Sequence, residues 1–304
     1  MQKIIIDTDA GDDVDDVLAI AFALLHDAVK VEAMTTVGWR SIERARLVRK
    51  LLHAAGQDNV PVAAGFALPM TPQTPEQFAG YSRPGKLSHT DVVGEDEQAA
   101  FEPVGTTAVD LLIRTIEASP GEISIVCIGQ LSNVAAALCA RPEIAGRIQQ
   151  IAIMGGELEI VRREHNIACD AIAAELVLRA GVPVFLGTWS VTRQFVLDEA
   201  DCNRIKAHGS ALTDLLGRCI DRWWPTKGGK VGPVMYDLSP IIWTFDRSPF
   251  EVKPMRLRVE TAGELTQGMT MPQPGASADD ANALVTTGID AERVREMYLS
   301  TLLA

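Results

Sequence analysis

The stretch Ile4-Ile5-Ile6-Asp7-Thr8-Asp9-Ala10-Gly11-Asp12-Asp13-Val14-Asp15-Asp16-Val17-Leu18-Ala19-Ile20 decides the fold. Ile4 to Ile6 is a β-branched run, apolar on both faces, and reads as a buried strand of a parallel sheet. Val17 to Leu25 is apolar nearly all round, the pattern of a helix buried in a large α/β protein. The acidic stretch between them is then the loop that leaves the C-terminal end of the first strand and enters the first helix. Open α/β sheets place their ligands there.

Six carboxylates (Asp7, Asp9, Asp12, Asp13, Asp15, Asp16) fall within ten positions, and no Lys or Arg occurs between Asp7 and Val29. One or two aspartates would serve as helix caps or suit the positive end of a helix dipole. A group this dense repels itself and raises its own pKa values unless a cation sits among its members. The pattern points to a divalent-metal site, and all-oxygen donors favour Ca²⁺ or Mg²⁺ over zinc or copper. The run lacks the closing glutamate of an EF-hand loop.

Moving outward, the 304 residues are 47% hydrophobic with a mean hydropathy of +0.10, enough for a sizeable core. The formal net charge of −12 opposes nucleic-acid binding. No apolar run is long enough to span a membrane, and Met1-Gln2-Lys3 runs straight into a strand with no signal peptide expected. The five cysteines (Cys127, Cys139, Cys169, Cys202, Cys219) are scattered without metal spacing, which suits a reducing cytoplasm. No composition shift or repeat marks a linker, so residues 1–304 read as one domain.

Strand and helix patterns alternate along the chain as in a parallel sheet. Strands are expected at 30–38, 60–65, 122–129, 148–156 and 183–186, and helices at 41–55, 107–119, 134–140 and 171–180. One helix is expected over Asp198 to Gly217, with Trp223-Trp224 on the segment after it, and a last apolar helix opens at Met235-Tyr236-Asp237. Arg256 to Thr261 and Ala283 to Thr287 read as edge strands. Residues 66–103 are rich in Pro, Gly, Thr, Ser and acids without periodicity, and read as an active-site flap. His89, in Ser88-His89-Thr90-Asp91, is its acid–base candidate, against the plain alternative of a solvated loop histidine.

Several motifs in one order resemble the inosine–uridine-preferring nucleoside hydrolase family, over nearly the whole chain. They are Asp7-Thr8-Asp9-Ala10-Gly11 followed by Asp15-Asp16, Thr35-Thr36-Val37-Gly38, Pro61-Val62-Ala63-Ala64-Gly65 and Gly129-Gln130-Leu131-Ser132-Asn133-Val134-Ala135. Met154-Gly155-Gly156, Glu164-His165-Asn166-Ile167, Val191-Thr192 at an expected strand end and Leu265-Thr266-Gln267-Gly268 complete the series. The resemblance implies an open, mostly parallel, Rossmann-like sheet flanked by helices. It also implies Ca²⁺-dependent hydrolysis of a ribonucleoside to ribose and free base, and a homodimer or homotetramer.

Carried over by position, the resemblance implies that Asp9 binds Ca²⁺ and takes the proton of its bound water, which attacks C1′. Asp16, Asp237 and the Ser132 carbonyl would complete the metal site. Asp15 would bind the ribose 2′ and 3′ hydroxyls, Asn166 and Glu164 would hold the 3′/5′ side, and Met154 would lie against the substrate. Asp7 would support the site from behind. The chemistry is coherent: a metal lowers the pKa of bound water, and carboxylates stabilise the oxocarbenium-like charge left on ribose.

The sequence departs from the family's common form in places. Ala10 stands where proline is common, Asp12-Asp13-Val14 lengthens the acidic loop, and Tyr236 stands where many relatives carry histidine. Protonation of the leaving base then falls to His89, Tyr236 or solvent. Trp39, Trp223 and Trp224 are candidates for stacking on the base, with core packing as the alternative for each. Two rival functions remain at this stage. One is a Ca²⁺-dependent nucleoside- or ribose-binding protein without catalysis. The other is a haloacid-dehalogenase-like phosphatase built on Asp7 and Asp9.

Overall fold

In a computed structural model the chain is described over residues 1–72, 87–228 and 231–304. The opening strand is β1 (Gln2–Thr8), and its side chains alternate between the sheet's two faces as the pleat requires. Ile4 and Ile6 enter one apolar cluster and Ile5 the other. β1 pairs in parallel with β2 (Val29–Thr36) on one side and with β4 (Ile123–Cys127) on the other. With β3 (Val62–Ala64), β5 (Ile148–Met154), β6 (Val184–Gly187), β7 (Phe250–Met255) and β10 (Ala283–Ile289), the sheet runs β3-β2-β1-β4-β5-β6-β10-β7. Every pairing in it is parallel except that of β10 with β7. β8 (Leu257–Val259) and β9 (Thr270–Pro272) form a separate antiparallel pair.

Helices cover both faces, so the sheet is apolar on both sides. One face carries α1 (Asp15–Leu25) and α2 (Ser41–Ala54). The other carries α3 (Ala108–Ala118) and α4 (Ser132–Ala140). The short α5 (His165–Cys169) leads into α6 (Ala171–Leu178), which packs on α4, and α7 (Trp189–Thr192) follows β6. The first face is completed by α8 (Glu199–Ala207), α9 (Ala211–Trp223), α10 (Leu238–Trp243) and α11 (Ala291–Leu302).

Several sequence expectations are corrected. The single helix over 198–217 is two helices, broken at His208-Gly209-Ser210. Gly209 takes φ +80°, and Ser210 caps α9 through a capping box with Thr213. Val191 and Thr192 lie in α7 rather than at a strand end. Ala283–Ile289 is an interior strand; the edge is β7, and the chain ends in α11, an element the sequence reading lacks. Residues 73–86 of the expected flap lie outside the described residues. The rest of that stretch includes packed pieces, the 3-10 turns Thr90–Val92 and Gln98–Phe101, with Val92, Val93 and Phe101 buried. No helix among the described residues is long and apolar enough to cross a membrane.

The chain builds outward from β1 through β2 to β3, then returns to lay β4 on β1's other side. That reversal opens a crevice beyond the C-terminal ends of β1 and β4.

Candidate active site

The crevice holds a cavity of about 390 Å³, within the roughly 300–1,000 Å³ typical of small-molecule sites. β1 contributes Asp9 from the turn after Thr8, and the same loop contributes Asp12 and Asp13 to the wall. Asp15 and Asp16 open α1, where the unpaired amides of a first turn favour carboxylates. Ile128 follows β4, Met154 ends β5, and Asn166 lies in α5. Asp237, at the start of α10, completes the floor from late in the chain.

Carboxylate oxygens of Asp15, Asp16 and Asp237 all lie within 4.8 Å of one another, and all three residues are buried. Burial raises each carboxyl well above the usual range, and neighbouring acids add to it: Asp13 for Asp15, Asp9 and Asp15 for Asp16, Asp15 and Asp16 for Asp237. Among the described residues no Lys or Arg forms an ion pair with any of the three; Arg44 acts on Asp16 only through its field. Crowded hard oxygens with no cation of their own fit a hard divalent ion. Asp9 lies on the same wall, more exposed than the trio and outside their 4.8 Å group.

Supporting contacts fix the floor. Thr8 Oγ1 donates to Asp16 Oδ1 at 2.5 Å. Asp7 is buried behind the cavity, where its Oδ1 accepts from Thr35 Oγ1 (2.6 Å) and Asn133 Nδ2 (2.8 Å), and burial pushes its carboxyl up to about 7. Asp7 is absent from the cavity wall, so it is out of reach for the nucleophile of a phosphatase. Ser132 is also buried behind the wall: its Oγ donates to Asp170 Oδ2 (2.6 Å) and accepts from Gln130 Nε2 (2.9 Å). Asp170 in turn gathers the amides of Met70, Thr71 and Ala173, tying the segment after β3 to α4 and α6.

On the far wall, Asn166 Nδ2 donates to the Met154 carbonyl (3.1 Å) and approaches its Sδ (3.5 Å). Among the described residues no hydrogen bond is donated to Asn166 Oδ1. Glu164 caps α5: its carboxylate accepts from the amides of Gly156, Asn166 and Ile167, and burial holds its carboxyl above the usual range. Tyr236 lines the cavity half-buried. Burial and the Asp15 and Asp13 charges raise its phenol, so it keeps its proton at neutral pH.

Besides Ser132, the candidates His89 and Trp223 are not brought into the cavity, and Trp39 and Trp224 are absent from its wall as well. His89 is fully buried beside the Gly11 carbonyl, with Nδ1 at 2.7 Å from Ser88 Oγ, and its ring is absent from the wall. Burial, then the Arg44 and Arg222 charges, pushes its pKa down to about 3, so the ring is neutral. Trp223 is 3% exposed and packs in the core. The tryptophan on the wall is Trp189, with the Arg162 guanidinium 4.0 Å and the Arg193 guanidinium 4.3 Å from its ring centre. Arg44, Arg162, His165 and Lys227 are further wall residues without a sequence-stretch argument behind them. His165 sits inside the Glu164–Ile167 motif and Trp189 just before Val191-Thr192, the one signal that marks them.

Comparison with known proteins shows the family and the fold. Residues 4–296 match the family model described as inosine-uridine preferring nucleoside hydrolase. A pyrimidine-specific ribonucleoside hydrolase RihA from Shewanella woodyi is 32% identical, over 95% of this chain and 94% of its own. Its counterpart in Salmonella arizonae is 29% identical over the same shares. Among solved structures, the plant nucleoside hydrolase PpNRh1 superposes with a TM-score of 0.81 at 25% identity, over 100% of this chain and 99% of that one. A purine-preferring ribonucleoside hydrolase from Gardnerella vaginalis shares the fold, with a TM-score of 0.82 at 24% identity over 99% and 98% of the two chains. The chain belongs to the inosine-uridine preferring nucleoside hydrolase family and is a hydrolase of N-glycosyl bonds.

Proposed function

We propose that this enzyme is a Ca²⁺-dependent ribonucleoside hydrolase that converts a ribonucleoside and water to ribose and free base. The observation that carries the reading is the buried trio Asp15, Asp16 and Asp237, closed within 4.8 Å at the floor of a cavity shared with Asp9 and Asn166. Asp9, Asp16 and Asp237 would hold the ion; Ser132, whose carbonyl the resemblance adds to the set, is buried and absent from the cavity wall. When bound, a divalent ion lowers the pKa of water and so supplies a nucleophile near neutral pH.

The remaining work falls to the chain's own groups. Asp9, the most exposed of these acids, takes the proton of the attacking water and can return it to solvent. Asp15 and Asn166 Oδ1 accept from ribose hydroxyls and fix C1′ for attack. The carboxylates around the sugar stabilise the positive charge that develops as the base departs. Tyr236, neutral and on the wall, donates a proton to the leaving base.

The test is ribose release, by a reducing-sugar assay, from inosine, adenosine, guanosine, uridine, cytidine and nicotinamide riboside, with Ca²⁺ or with EDTA. Turnover that EDTA and Asp9→Ala both abolish supports the reading. Absence of turnover on the whole panel defeats it.

A further inference from the structure

A second cavity, of about 580 Å³, opens at the other end of the sheet. Gln150 near the start of β5, Val184 opening β6 and Ala283 opening β10 line it, so it lies beyond the N-terminal ends of three parallel strands. The acid-lined cavity meets β5 at its opposite end, at Met154, and the two cavities share no residue. Their charge is opposite too. Arg179, Arg247 and Arg256 line the second cavity, and among the described residues no Asp or Glu does, in a chain of formal net charge −12.

Specific contacts bring the three arginines to one place. Asn282 Nδ2 donates to the carbonyls of Leu178 and Leu257 (3.0 Å each), and its Oδ1 accepts from the Leu257 amide (2.7 Å). The Asn282 amide donates to the Met255 carbonyl (3.1 Å). Leu178 precedes Arg179, while Met255 and Leu257 flank Arg256, so one asparagine fastens both arginine segments together. Arg247 lies over the Trp243 ring, its guanidinium carbon 4.8 Å from the ring centre. Trp243 is itself fixed: it stacks on Phe185 (centroids 4.3 Å apart, planes at 12°), and its Nε1 donates to Gln150 Oε1 (3.1 Å).

The other polar side chains of the wall are spent on the protein. Asn282 uses its whole amide as above, and Gln150 Nε2 donates to Ser124 Oγ (3.1 Å). Neighbouring acids are spent as well. Asp246 pairs with Arg293 (3.1 Å) and accepts from the Ser248 amide (2.9 Å); Asp280 Oδ2 accepts from the amide (2.9 Å) and hydroxyl (2.8 Å) of Ser277. Among the described residues the three arginines form no ion pair, and their guanidinium hydrogen bonds come to one, from Arg256 Nη1 to the Asp280 carbonyl (3.4 Å). Most of three N–H forks is therefore left for a ligand, the geometry that takes phosphate bidentately.

We infer that this cavity binds a phosphate monoester with a small apolar body. A phosphate monoester carries a charge of about −1.5 to −2 at neutral pH, which three uncompensated guanidiniums match better than the single charge of a carboxylate. Beside them the wall is apolar, with Leu178, Val182, Pro183 and Leu284. A bare phosphate, the size of a few waters at about 30 Å³ each, would leave most of the cavity unfilled. The inference is independent of the hydrolytic site and stands or falls without it.

The experiment is calorimetric titration with phenyl phosphate, methyl phosphate and benzoate, with Ca²⁺ present. Wild type, Arg179→Ala, Arg247→Ala, Arg256→Ala and Asp237→Asn are compared. Phenyl phosphate should bind once per chain, and about tenfold or more tighter than methyl phosphate, which lacks the apolar body. Each arginine substitution should weaken it about tenfold, the loss of one charge-assisted contact, while Asp237→Asn leaves it unchanged. Arg179 makes no side-chain contact that the fold needs, so Arg179→Ala should unfold at the wild-type Tm and carries the test if another variant does not fold. No binding to wild type overturns the inference. So does methyl phosphate or benzoate binding as tightly as phenyl phosphate, or an affinity that Asp237→Asn lowers and the arginine substitutions do not.

Discussion

Gly129 lies so close to Asp9 that a Cβ placed on it would sit 2.9 Å from the Asp9 amide nitrogen and 3.1 Å from its Oδ1. The same Cβ would meet Val37 Cγ1 at 2.9 Å, so there is no side into which it could retreat. The loop after β4 is therefore the mould that sets Asp9's position. Gly129→Ala forces the acid loop outward, at an overpacking cost of about 1–3 kcal/mol. Displacing a catalytic group by an ångström costs about 10²-fold in rate. We expect kcat for ribose release to fall about that far while thermal unfolding stays cooperative at a slightly lower Tm. Wild-type turnover in this variant would show that Asp9 does not depend on the mould.

Metal should be felt in stability as well as in turnover. Three buried carboxylates repel one another in the absence of a cation, and an ion bound only by the folded chain stabilises it by mass action. At a concentration about 100 times Kd the gain is about 2.7 kcal/mol, a rise of about 4 °C in Tm for a chain of this length. Calorimetric scans with Ca²⁺ and with EDTA should show this gap in wild type and lose it in Asp237→Asn. Thr8→Val removes the donor that holds Asp16 Oδ1 and should weaken Ca²⁺ binding about 10- to 100-fold, as loss of a supporting contact does elsewhere. An equal gap in Asp237→Asn would place the ion outside this trio.

The framework was legible in the sequence because its elements are apolar runs between clear breakers. Ile4–Ile6, Ile123–Cys127 and Ile148–Met154 could only be buried strands, and the onset of apolar residues after Asp16 fixed the start of α1. Trp223 was separable in principle: with Leu216, Cys219 and Ile220 it falls on one helical face of α9, the face turned to the core. Trp189 and Arg162 were not separable. They meet because Glu157 folds its segment back onto Ser190, a contact across 33 positions that leaves no local pattern. The break at Gly209 and the capped α11 were readable signals; length and polarity hid them.

His89 makes its own pH prediction. Its folded pKa, near 3, lies below the unfolded value of about 6.5. The stability this neutral ring contributes is complete above pH 6.5 and is lost as pH falls towards 3, because the unfolded chain takes up the proton first. The loss approaches roughly 1.4 kcal/mol per pH unit within that window. Urea unfolding at pH 7, 6 and 5 should give a shallower decline for His89→Leu than for wild type, with nucleoside turnover retained at pH 7. Parallel declines in the two proteins would mean that His89 is protonated in the folded state.

In the proposed mechanism Tyr236 protonates the leaving base, with solvent as the alternative donor, and the nature of the leaving group isolates that step. A purine or uracil leaves as a poor anion unless a proton reaches it, whereas p-nitrophenolate departs from a riboside without one. General-acid catalysis is worth about 10²–10⁴-fold, so Tyr236→Phe should lower turnover of inosine or uridine by that order. It should leave p-nitrophenyl β-riboside turnover close to wild type, since the hydroxyl touches neither the attacking water nor the ion site in the proposed mechanism. The wild-type phenol is raised above its usual pKa of about 10 by burial, Asp15 and Asp13. The nucleoside reaction should therefore show no alkaline limb from Tyr236 below pH 10. Equal losses on both substrates would instead make Tyr236 a wall residue that positions the sugar.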